Sequence, residues 1–146
     1  MRHITQEGLD LICRFEGFSP VIYLCPAGYP TIGYGHLITE ASKEQFLDGI
    51  DELEALYLLK TDVQKAGKVL LRLINVPLTD GQFDALVSFT FNLGGGALQR
   101  STLRRKVNRN EHSAVPAEFM KWVWAGGRKQ KGLIRRRSAE TILYLS

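Results

Sequence analysis

The sequence predicts an α+β fold, mostly helical, in which a small antiparallel sheet lobe is followed by a helical lobe. Three observations carry this. Residues 19–38 are rich in β-branched and aromatic side chains broken by turn formers, whereas apolar residues before and after them recur at helical spacing. The third is length: 146 residues suit one domain rather than several. The expected organisation is a single domain over 1–146, with an N-terminal helix and β lobe to about residue 50, a linking helix over about 51–75 and a helical lobe over about 76–146.

The first helix is expected from Thr5, a capping residue, to Glu16, where Gly17 stops it; Leu9, Ile12 and Cys13 form its apolar stripe. Glu16 would then lie in the last turn, where the helix dipole opposes a carboxylate, so it is either well exposed or held there for a purpose. Val21-Ile22-Tyr23-Leu24, Pro26-Ala27-Gly28 and Thr31-Ile32-Gly33-Tyr34-Gly35-His36 read as a hairpin or short meander. After it the chain is expected to be helical to its end.

Asp51 and Glu54 offer a capping box for a long helix to about Asn75, and Pro77 interrupts. Thr79 and Gln82 offer a second capping box, for a stretch over Phe83 to Phe91 that is apolar on most sides and so expected to be central and buried. Three consecutive glycines, Gly94 to Gly96, should end it. Three shorter helices are expected over Ala97 to Asn108, Pro116 to Trp124 and Leu133 to Leu145.

Composition narrows the function classes. With 45% hydrophobic and 23% charged residues the chain is of ordinary globular type. It has no apolar run of the roughly 18 to 20 residues a membrane span needs and no signal-peptide pattern at its start, so a cytoplasmic origin is expected. The net charge of +4 conceals an asymmetry. Residues 1–97 carry 7 Lys and Arg against 12 Asp and Glu, a balance of −5; residues 98–146 carry 12 against 3, a balance of +9. A basic rear suits a polyanion, whether nucleic acid, membrane surface or wall polymer, or is simply a solvated face. Cys13 and Cys25 make no disulfide framework and fit no four-ligand zinc site. Cys13, three residues before Glu16, reads as a reduced core cysteine; pairing with Cys25 is the alternative.

From the residues alone, Glu16 at a helix end with Cys25 and Thr31 on the adjoining hairpin would line a cleft between the two lobes, the usual place for a polymer-binding site. The run Glu16-Gly17, Tyr23, Cys25, Ala27-Gly28 and Thr31-Ile32-Gly33-Tyr34-Gly35-His36 closely resembles the signature of the phage-type lysozymes, or endolysin muramidases. In that pattern a Glu is followed after eight residues by Asp or Cys, and after five more by Thr. Asn92-Leu93-Gly94, Gly132-Leu133, Arg136-Arg137 and Glu140 continue the resemblance over most of the chain.

The resemblance implies a lysozyme-like fold and hydrolysis of the β-1,4 bond between N-acetylmuramic acid and N-acetylglucosamine in peptidoglycan, with host cell lysis as the outcome. Glu16 matches the general acid, and desolvation by a sugar filling the cleft would favour its protonated form. Cys25 replaces the commoner Asp as nucleophile, as base for a water or as a polar wall group; the water-assisting role ranks first, with Thr31 holding the water. Leu37, Phe91 and Thr102 align with sugar-contacting positions, core packing being the alternative for Phe91. His36 is structural in this pattern, with Asp62 its expected partner, and Arg136 or Arg137 is expected to orient Glu16. Trp122 and Trp124 are expected to pack. No metal and no organic cofactor is implied. The expected partners are peptidoglycan glycan strands, with electrostatic contact of the basic half with outer membrane or wall polyanions, no nucleic acid, and a monomeric state. The expected location is the host cytoplasm until a separate membrane-permeabilising protein gives access to the wall. A catalytically weak peptidoglycan-binding protein of the same fold is the second reading, and a nucleic-acid binder the third.

Overall fold

A computed structural model describes residues 1–146. The order of elements is α1 (Gln6–Glu16), β1 (Ser19–Leu24), β2 (Pro30–Gly33), β3 (His36–Leu37), a 3-10 segment (Glu40–Phe46), α2 (Glu52–Leu73), α3 (Asp80–Leu93), α4 (Gly95–Gln99), α5 (Thr102–Asn108), a 3-10 turn (His112–Ala114), α6 (Val115–Phe119), β4 (Trp124–Ala125), β5 (Arg128–Lys129) and α7 (Lys131–Leu145). The class is α+β. Two compact units divide the chain, one formed by Ile12–Val63 and the other by Met1–Leu11 with Gln64–Ser146, so that α1 and α2 each contribute to both.

In the unit of residues 12–63, β1, β2 and β3 form an antiparallel sheet in sequential order. Tyr23 pairs with Thr31 and Leu24 with Pro30, while Thr31 faces Leu37 and Ile32 faces His36 across the other side of β2. The central strand is the buried one, Thr31 to Tyr34 all lying inside, because it alone has neighbours on both edges. Gly33, at φ +66, lies where a Cβ would touch Ala55 of α2 at 3.1 Å and Ile50 at 3.2 Å. The capping box at α2 is as the sequence predicts: Asp51 accepts from the Glu54 amide at 2.8 Å, and Glu54 accepts from the Asp51 amide at 3.5 Å.

The other unit is built on α3, whose residues Phe83 to Thr90 are all buried, and α7 packs along it. The Thr79–Gln82 capping box opens α3. Phe89 is edge-on to Phe119 at 5.7 Å and to Trp122 at 5.4 Å. Asp84 accepts from the amide and hydroxyl of Thr5, whose own hydroxyl caps α1 at the Gly8 amide. Burial pushes the Asp84 carboxyl above its ordinary range, against the lowering effect of the two Thr5 hydrogen bonds.

Four expectations about this region need correction. The chain is not helical throughout: Trp124–Ala125 and Arg128–Lys129 pair as a ribbon, so the helix expected over Pro116 to Trp124 is only α6. The helix expected over 97–108 is two, broken at Arg100-Ser101, because the Ser101 hydroxyl accepts from the Arg104 amide at 3.0 Å and begins a new helix. Of the three glycines only Gly94 (φ +91) ends α3; Gly95 and Gly96 already belong to α4. Lastly, Trp124 does not pack: it is 57% exposed.

Candidate active site

Glu16 is the last residue of α1. Gly17, at φ +70, turns the chain there, its amide donating to the Cys13 carbonyl at 2.9 Å. The Glu16 side chain is half-buried, and its carboxylate lies against the backbone of Gly35, where a Cβ would collide with Oε1. The carboxylate at the end of α1 thus lies against the turn between β2 and β3, where Gly35 (φ +74) has no side chain to occupy that space.

Cys25 stands just past β1, at the head of a tight turn. The Gly28 amide donates to the Cys25 carbonyl at 2.7 Å, and the Cys25 amide donates to the Tyr29 carbonyl at 2.9 Å. Pro26 in the first central position and Gly28 at φ +86 are the residues such a turn requires. Cys25 is half-buried and its thiol is free. Hydrogen bonding from the Tyr29 backbone lowers its pKa most, helped by Ala27, the Thr31 side chain and Gly28, and these together outweigh burial, which works in the opposite sense.

Thr31 is 2% exposed and its hydroxyl donates to the Tyr29 carbonyl at 2.9 Å. It has one proton to give, so donation to the Cys25 thiolate and donation to Tyr29 are alternatives. Tyr23, not singled out as a site residue from the sequence, belongs to this group. It pairs with Thr31 across the sheet, and its phenol is pushed up by burial, then by Glu16 and Cys25. Tyr23 stands two residues before Cys25, but Cys25 lies past the end of β1, so strand alternation alone does not link them.

His36 and Asp62 meet as expected, Nδ1 lying 2.7 Å from Oδ2, with Phe46 edge-on to the imidazole at 5.7 Å. Of the expected sugar contacts, Leu37 is 57% exposed on β3 opposite Thr31. Phe91 is half-buried near the end of α3; Thr102 is half-buried at the start of α5 and accepts from Arg105 at 3.0 Å. Arg136 and Arg137 are both buried, and Glu140 lies between them. Arg137 Nε is 2.9 Å from Oε1 and Arg136 Nε 3.5 Å from Oε2, while Ser88 donates to Oε2 at 2.5 Å and Arg137 reaches Asn92. Burial works against the charge of both Arg137 and Glu140, and their mutual attraction offsets part of that cost.

The family model described as phage lysozyme matches residues 13–140. An endolysin of Acyrthosiphon pisum secondary endosymbiont phage 1 is 40% identical over 148 residues, covering 99% of both chains. An endolysin of Bacillus phage B103 is 40% identical over 146 residues; this chain spans 54% of its length. Among solved structures, the muramidase domain of SpmX from Asticaccaulis excentricus superimposes with a TM-score of 0.87 at 34% identity, covering 99% of both chains.

Proposed function

The chain belongs to the phage lysozyme family and is a glycoside hydrolase, a muramidase with peptidoglycan-lytic function; from that premise we propose that it hydrolyses the β-1,4 bond between N-acetylmuramic acid and N-acetylglucosamine through Glu16, Cys25 and Thr31. Glu16 donates its proton to the leaving glycosidic oxygen. Cys25, as thiolate, takes a proton from the attacking water, and Thr31 positions that water by its hydroxyl. The water oxygen bonds to the anomeric carbon as the glycosidic bond breaks, and Glu16 is left as carboxylate with Cys25 as thiol.

The observation that carries this reading is the turn at Cys25, where backbone hydrogen bonds favour thiolate and so suit sulfur to the role a carboxylate usually fills. Leu37, Phe91 and Thr102 are proposed to contact sugar. His36 with Asp62 supports the sheet, and Arg136 with Arg137 supports the α3–α7 pair through Glu140. The basic half, residues 98–146, is proposed to lean on wall or outer-membrane polyanions, and the protein to act as a monomer. It is proposed to stay in the host cytoplasm until lysis and to reach the wall then; no helix is long and apolar enough to cross a membrane.

Clearing of a purified peptidoglycan suspension tests the assignment. Glu16→Gln should lose nearly all activity and Cys25→Asp should retain it. Full clearing by Glu16→Gln would remove Glu16 from the acid role.

A further inference from the structure

Residues 124–132 are all exposed, although the chain immediately before them is anchored: Val123 is 3% exposed and Trp122 packs on Phe89. The segment is nonetheless ordered. Trp124 pairs with Lys129 and Ala125 with Arg128, Gly126 and Gly127 supply the positive-φ turn at +60° and +75°, and Gln130 ties back to the carbonyls of Val123 and Ala125, each at 2.9 Å. The result is a short ribbon that presents one large aromatic ring. A tryptophan 57% exposed beside alanine and glycine contributes nothing to a core. Its register partner Lys129 places Nζ 5.6 Å from the ring centroid.

The charge around the ring is one-signed. Between Glu118 and Glu140 there are seven Lys and Arg and no carboxylate; Arg128, Lys129 and Lys131 lie on or beside the ribbon, whereas Glu118 is already paired with Lys121 at 2.9 Å. A flat apolar platform with cations at its rim matches a pyranose ring that bears a carboxylate substituent. That is the repeating chemistry of a peptidoglycan strand, whose muramic acid residues carry acidic stem peptides. A bilayer is a poorer match, since docking there requires a contiguous apolar face and here the ring's neighbours along the ribbon are small or charged.

We propose that the Trp124–Lys129 ribbon is a wall-anchoring surface that stacks Trp124 on a sugar of an uncleaved peptidoglycan strand and pairs Lys129 and Arg128 with stem-peptide carboxylates. This rests on the peptidoglycan reading above. It adds a non-catalytic contact, in the unit that does not contain Glu16, Cys25 and Thr31. Holding the enzyme on an insoluble polymer raises the local concentration of cleavable bonds without any new catalytic group.

The test is co-sedimentation with purified sacculi in a Glu16→Gln background, with clearing rates measured in the wild-type background. Trp124→Ala should bind sacculi about five- to tenfold more weakly, the loss of one ring contact, with an unchanged melting temperature. Trp124→Phe should restore most of the binding, and Lys129→Gln should weaken it and flatten its salt dependence. Clearing of sacculi should fall in parallel, whereas cleavage of a short soluble glycan fragment should not change. Unchanged sacculus binding in Trp124→Ala would overturn the proposal. So would an equal loss on the short fragment, or a loss confined to binding of phosphatidylglycerol vesicles or duplex DNA. Failure of the wild-type chain itself to clear or bind sacculi would instead remove the peptidoglycan reading on which the proposal rests.

Discussion

At the level of single residues, the two glycine positions around the carboxylate do different work. Gly17 (φ +70) lets the chain leave α1, with open space where a Cβ would be; Gly35 (φ +74) has the same backbone reason and, in addition, the Glu16 carboxylate where its Cβ would lie. Gly35→Ala should therefore displace the carboxylate and lower the clearing rate on the order of a hundredfold. Gly94→Ala has a comparable backbone penalty at φ +91 and nothing to strike, so it should lose stability without a matching loss of activity. Melting temperature and clearing rate of the two variants check this. Cys25 yields a pH prediction. Its folded-state pKa lies below the ordinary thiol value, so thiolate, and with it the rate, should rise with pH through a limb lying below the ordinary thiol range. In Cys25→Asp that limb should move several units to acid, because a carboxylate ionises far lower; superimposable pH profiles would contradict the role. The proposed group of Glu16, Cys25 and Thr31 could be picked out in the sequence because its spacing is a local pattern. Tyr23 was not singled out, since its part in the group depends on the cross-strand register with Thr31.

At the level of elements, both capping boxes could be read directly, because each is complete within four residues. Thr79→Ala should cost about 1 kcal/mol of stability, measurable by denaturant unfolding, by removing the acceptor for the Gln82 amide. The errors have equally local causes. Ser101, inside the single helix expected over 97–108, is 3% exposed and caps the next helix instead. The glycine run looked like a stop, yet Gly95 lies where a Cβ would strike Val69 of α2 at 2.7 Å, so part of that run serves close helix packing. Gly126-Gly127 between Ala125 and Arg128 is a two-residue hairpin turn whose flanking strands, two residues each, are too short to show an alternating pattern.

At the level of the whole molecule, the acidic front and basic rear were visible as composition, but not which charges are inside. Glu140 is fully buried with Arg136 and Arg137 around it, and Ser88, 52 positions earlier, donates to it. No local pattern reports a contact of that separation. Glu140→Gln should cost about 3–5 kcal/mol, because it removes the carboxylate that pairs with the fully buried Arg137 guanidinium; a drop below about 1 kcal/mol in chemical unfolding would contradict this. The remaining charges of residues 98–146, mostly exposed, are the ones available to a polyanion. Family membership points to peptidoglycan as substrate, and the reaction proposed for it runs through Glu16, Cys25 and Thr31. Mass analysis of sacculi digested by the wild-type chain tests that reaction most directly. Water-assisted hydrolysis predicts products ending in reducing N-acetylmuramic acid, absent from a Glu16→Gln digest; anhydro-muramic ends, or reducing N-acetylglucosamine ends, would contradict it.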